Sequence, residues 1–126
     1  MNDTVISFET AKLAKEKRVI ISTTIMGWTT CWYHPRTKNI LRCGRTGKCK
    51  LSEMYPIYTQ SLLQKWLREK HNLFVTTGIN RDKIQRRYVY YIDDLKDYEL
   101  VEESLQLFDS YEEALEKALQ EALKLI

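Results

Sequence analysis

The sequence predicts an α+β protein built on an antiparallel sheet, and three observations carry that expectation. Apolar residues recur at helical spacing in three separate blocks near the start, the middle and the end of the chain. β-branched and aromatic runs lie between those blocks in hairpin-like pairs, without the strict strand–helix alternation of a parallel sheet. The chain has 126 residues, of which 44% are hydrophobic and 29% charged, the size and balance of one domain. Such a domain buries about two thirds of its surface. The expected architecture is a single domain over residues 1–126, with a sheet of about four to six strands packed by two or three helices.

The first helix is expected from Phe8 to Lys17, with Ser7 as N-cap and Phe8, Ala11, Leu13 and Ala14 on its apolar face. Val19 to Ile25 is β-branched almost throughout and reads as a strand. Trp28 to Tyr33 alternates large and small residues, as a half-buried strand does, and Asn39 to Arg42 would close a hairpin with it over Pro35–Lys38. Cys43 to Pro56 has no period and holds Gly44 and Gly47, so it reads as a loop. Thr59 caps a helix running from Gln60 to His71, with Leu62, Leu63, Trp66 and Leu67 inward. Leu73–Thr77 and Ile84–Ile92 are expected strands, joined through the turn residues of Gly78–Asp82. Asp93 to Leu100 reads as an acidic connection and Glu103 to Phe108 as a last short strand. Ser110 with Glu113 forms a capping-box pattern, and Ala114, Leu115, Ala118, Leu119, Ala122, Leu123 and Ile126 trace one face of a C-terminal helix.

Composition excludes several classes. Four glycines, two prolines and 11% aromatics do not describe a disordered chain. No apolar run approaches the roughly 20 residues that span a bilayer, and no basic–apolar–small pattern opens the chain. Three cysteines are an odd and sparse set, so free thiols in a reducing cytoplasm are expected.

Three blocks of the chain resemble segments of a family of small uncharacterised proteins of Bacteroidetes phages and prophages. They are the opening Ile6–Lys15, the central Tyr58–Asn72 and the ending Ser110–Ile126, in the same order. Residues 18–57, with all three cysteines, fall outside the likeness. The resemblance implies a phage or prophage origin and a life in the cytoplasm of the host bacterium. It implies no activity, and no functional residue is carried over from it.

Charge is unevenly spread. Residues 1–90 hold 17 Lys/Arg against 6 Asp/Glu, a surplus of +11, and residues 91–126 hold 3 against 11, or −8, which together give the net +3. The basic half offers a face for a polyanion, unless the acidic C-terminal helix packs beside it and neutralises it. A nucleic-acid surface is read from Arg42, Arg45 and Lys48 in the basic 34–50 stretch and from Arg86, Tyr88 and Tyr90 on one face of the expected strand. The opposing reading is that tyrosine and arginine are ordinary strand residues there. Trp28, Trp32 and Tyr33 are anchors for a partner protein or a symmetric dimer, or else core.

Metal and catalytic readings are weaker. Cys31, His34, Cys43 and Cys49 supply three thiolates and an imidazole, a zinc donor set, but the second spacing is wider than zinc sites use. Ordinary free cysteines are preferred and no metal or cofactor is expected. Gly44–Lys48 lacks the spacer and the following Ser/Thr of a phosphate loop. His34 and His71 are the only histidines, and nothing in the sequence holds either against a thiol. No acid, base and nucleophile converge, so the expected role is non-catalytic. It is that of an accessory protein that binds nucleic acid, or alternatively inhibits a host protein or sequesters a small ligand.

Overall fold

A computed structural model describes residues 4–19, 32–33, 36–38, 40–41, 55–80, 87–104 and 106–126. The element order is α1 (Phe8–Glu16), β1 (Trp32–Tyr33), β2 (Ile40–Leu41), β3 (Tyr55–Pro56), α2 (Gln60–His71), β4 (Leu73–Asn80), β5 (Arg87–Asp94), β6 (Glu99–Glu103) and α3 (Tyr111–Leu125). The protein is α+β, as expected, and the described residues hold three helices and antiparallel sheets. Among the described residues no sheet has more than three strands, fewer than the four to six expected. The strands divide into an antiparallel sheet of order β4-β5-β6 and a small one of order β2-β1-β3 built from two-residue strands.

Each helix begins where a short polar side chain can take up a free N–H. Ser7 Oγ accepts from Thr10 N at 3.3 Å, Thr59 Oγ1 from Leu62 N at 3.2 Å and Ser110 Oγ from Glu113 N at 3.1 Å. Helix α2 stops at Asn72, whose φ of 57° is a left-handed cap that asparagine tolerates. The hairpin expected over Pro35–Lys38 is present, with Trp32 opposite Leu41 and Tyr33 opposite Ile40. β3 falls where a loop was expected, and its proline is accommodated because β3 is an edge strand. The expected strand 19–25 beyond Val19, and residues 28–31, lie outside the described residues.

The larger sheet departs from expectation at its acidic end. β5 continues to Asp94, a turn spans 95–98, and β6 occupies 99–103, where a connection was read. Of the strand expected over 103–108, Glu103 closes β6 and Phe108 makes one bridge to Tyr88, while residue 105 lies outside the described residues. The β5–β6 ladder shifts register between Ile92 and Asp93, which pair with Glu102 and Leu100 and leave Val101 as a bulge.

Strand alternation sets the two faces of the sheet. Leu73, Val75, Tyr90 and Ile92 turn toward α2 and α3 and share one buried cluster with Ile6, Leu63, Leu67, Leu119 and Leu123. Each of those fully buried leucines contributes about 2 kcal/mol. Ala114, Ala118 and Ala122, all without exposure, let α3 lie close to its neighbours. Helix α1 packs on α3 and β3, and α2 and α3 pack on β4.

The three helices are also joined by one polar junction. Ser7 N and Ser7 Oγ each donate to Glu116 Oε2 at 3.1 Å, and Thr10 Oγ1 donates to the same oxygen. Gln60 Nε2 donates to Glu116 Oε1 and to the Glu112 carbonyl, both at 3.0 Å. Gln120 Nε2 donates to Thr10 Oγ1 at 3.1 Å. Thr10 and Gln60 are buried, so this one carboxylate satisfies donors from α1 and α2 that water cannot reach.

Candidate functional site

Most of the sequence-predicted site residues fall outside what the structure describes. Arg42, Arg45, Lys48, Arg86, Trp28, Cys31, His34, Cys43 and Cys49 lie outside the described residues, and Trp32 is placed only by its backbone in β1. Tyr33 is not an anchor for a partner. It is buried, donates its hydroxyl to the Ile6 carbonyl at 2.7 Å and meets the Phe8 ring edge-on at 5.8 Å. Burial first, and then Glu116 and Glu9, raise its pKa. Tyr90 is likewise 5% exposed, with its ring 6.1 Å from Phe108, so it cannot stack on a base. Tyr88 is half-buried and meets Tyr111 edge-on at 6.4 Å.

The face chosen from the sequence is therefore the core face. Arg87, Val89 and Tyr91 take the opposite face, where a Cβ added to Gly78 would stand 2.9 Å from the Tyr91 ring. The described ions around that ring do not make it basic: Glu103 pairs directly across from Tyr91, and Arg87 approaches Asp109 at 4.0 Å. Among the described residues no group of three or more His, Cys, Asp or Glu is placed to hold a metal ion.

The surface the fold does build is the β5–β6 hairpin. Leu95 N donates to the Asn72 carbonyl at 2.8 Å, which fastens the turn to the end of α2. Asp94 Oδ1 accepts from Lys96 N at 2.8 Å and shapes the turn. Tyr98 then takes a left-handed φ of 58°, a conformation that costs a side-chain-bearing residue about 1–2 kcal/mol. Its side chain is 90% exposed, and Leu100 and Val101 beside it are 53% and 44% exposed. Asp93, Asp94, Asp97, Glu99, Glu102 and Glu103 frame these apolar groups, and among the described residues none of the six has an ion-pair partner.

A groove of about 270 Å³ continues from the end of β6 to α3, over Phe108 and Tyr90 and between Glu102, Lys117 and Glu121. Lys117 and Lys124 both reach Glu121, at 3.0 and 3.2 Å, and Lys117 is the first cause of its lowered pKa. The Tyr90 hydroxyl beside them is pushed up to about 12, by burial first and then by Glu102 and Glu121.

Sequence reading missed this site because its acids look like a solvated connection. The signal was Tyr98-Glu-Leu-Val-Glu102, a β-prone aromatic and aliphatic run inside an acidic stretch. No described helix is long and apolar enough to cross a membrane. Comparison of the chain with family models, with curated proteins and with solved structures finds no match.

Proposed function

We propose that the protein acts by binding, without catalysis, and that the β5–β6 hairpin is its contact surface for a basic partner protein. One observation carries this reading. Tyr98 holds a left-handed backbone that costs stability, yet it is 90% exposed and makes no hydrogen bond, ion pair or ring contact among the described residues that would offset that cost. Residues held at such a cost cluster where function demands them. Leu100 and Val101 extend the apolar surface, and the acids around it favour a partner of opposite charge. A phage accessory protein directed at a host protein would use such a surface.

Nucleic-acid binding remains a second reading on one observation. Lys65, Arg68 and Lys70 are exposed along α2, in the half of the chain with the basic surplus, although Lys65 approaches Glu69 at 3.9 Å. Amide chemical-shift mapping separates the two. Titration with polylysine is expected to move resonances of residues 93–103, and titration with single-stranded DNA to leave the protein unchanged. Salt-dependent DNA binding with shifts centred on α2, and none in the hairpin with polylysine, would reverse the assignment.

Tyr98→Gly gives an independent check. Glycine adopts the left-handed conformation without strain, so the variant is expected to keep full stability or gain up to about 1 kcal/mol in urea unfolding. Hairpin binding is expected to weaken at the same time. A clear loss of stability would show that Tyr98 serves the fold, and the case for the hairpin would lose its main support.

A further inference from the structure

Among the described strands β6 is an edge. In the order β4-β5-β6 it pairs only with β5 among the described residues, and Glu99, Leu100, Val101 and Glu103 are exposed. An open edge offers backbone donors and acceptors to any extended chain of matching chemistry. Proteins that only need to silence such an edge commonly use lysine, proline or cover by another element. Here the deterrent is charge of one sign. Glu99, Glu102 and Glu103 lie on the strand itself, and Asp93 and Asp94 lie on its neighbour.

That pattern decides between occupants. A second copy on this edge would set a run with three glutamates in five residues, Glu99 to Glu103, against the same run. Like charges directly opposite are destabilising, so the edge repels itself. A strand carrying lysine or arginine at alternate positions meets the reverse situation: its cations lie in the row of Glu99 and Glu102, which pair with Asp94 and Ile92, and its apolar residues lie in the row of Leu100. Where the strand ends, the groove over Phe108 opens, with Glu102 and Glu103 on its strand side and the Lys117–Glu121 pair on its helix side.

We infer that β6 takes up an extended, lysine- or arginine-rich segment of a partner protein as an added strand. The inference rests on the hairpin being the contact surface and specifies how contact is made. Main-chain pairing supplies affinity, and the acids select against both self-association and acidic segments.

The test uses the full chain and a short peptide alternating lysine with valine. The expected result is saturable binding, weakened by salt, which falls about tenfold when alternate peptide amides are N-methylated and pairing is blocked. The Glu99→Lys and Glu102→Lys variants are each expected to weaken it severalfold, and a peptide with glutamate for lysine should not bind. Equal binding of the methylated peptide overturns strand addition and leaves the hairpin as a contact surface. Hairpin shifts with polylysine but no binding of the lysine–valine peptide would do the same. Absence of binding by both probes overturns the inference together with the reading beneath it. A dimer in sedimentation equilibrium that Leu100→Lys dissolves would assign the edge to a second copy and refute the basic occupant.

Discussion

Glu116→Ala is expected to destabilise the protein by about 3 kcal/mol, the largest effect of any substitution outside the apolar core. The reason is the number of donors that converge on one carboxylate. Ser7 donates through both its amide and its hydroxyl, Thr10 through its hydroxyl and Gln60 through its amide. Hydrogen bonds to a charged group contribute about 1.5–3 kcal/mol each, and their loss is not additive when the donors are neighbours. Alanine also removes the carboxylate from the buried Thr10 hydroxyl and from Gln60, which keeps only the Glu112 carbonyl. The Glu116→Gln variant keeps the volume and one acceptor but places an amide N–H where a donor already points, so it should lie between wild type and alanine. The midpoint of urea unfolding measures all three. A loss below about 1 kcal/mol for alanine would mean that water replaces the carboxylate, and that apolar packing alone holds α1 against α3.

That junction also shows which parts of the structure the sequence could reveal. Ser7, Thr59 and Ser110 were legible as caps because capping is local: the acceptor and its N–H lie within three residues. The role of Glu116 was not legible. Its spacing within α3 marks it as one more glutamate on a helix flank, and only the approach of α1 from more than a hundred positions away makes it an acceptor.

The face of β5 failed for a related reason. Arg86-Tyr88-Tyr90 and Arg87-Val89-Tyr91 are nearly equivalent in composition, so period-two alternation identified the strand but could not say which row meets the core. Contact with α3 and Phe108 decides it, and the decision moves Tyr90 from a proposed contact residue into the interior. β6 was passed over because strand propensity is weak against a run of acids, whereas in the folded chain pairing with β5 outweighs it.

Tyr90 supplies the second large effect, through pH. An unfolded chain ionises tyrosine near pH 10, whereas in the native protein burial, Glu102 and Glu121 push Tyr90 up to about 12. Below pH 10 both states hold the proton, and this group gives stability no pH dependence. Between pH 10 and 12 the unfolded chain has released a proton that the native protein still holds. Stability therefore falls as pH rises through that window, by on the order of 2 kcal/mol from Tyr90. Tyr33 acts in the same direction, since its raised hydroxyl must keep its proton to donate to the Ile6 carbonyl.

The comparison that isolates Tyr90 is Tyr90→Phe against wild type, because the two chains differ only in that hydroxyl. The variant is expected to match wild type to within about 1 kcal/mol at neutral pH and to lose stability less steeply above pH 10. Glu102→Gln should soften the same alkaline fall by a smaller amount, because Glu102 is one of the two negative charges opposing the phenolate. Parallel alkaline limbs in wild type and Tyr90→Phe would place the hydroxyl in water. Burial is the first cause of the Tyr90 shift, so the whole alkaline fall reports how dry the hydroxyl is, and the smaller Glu102→Gln difference within it reports the negative charge beside β6.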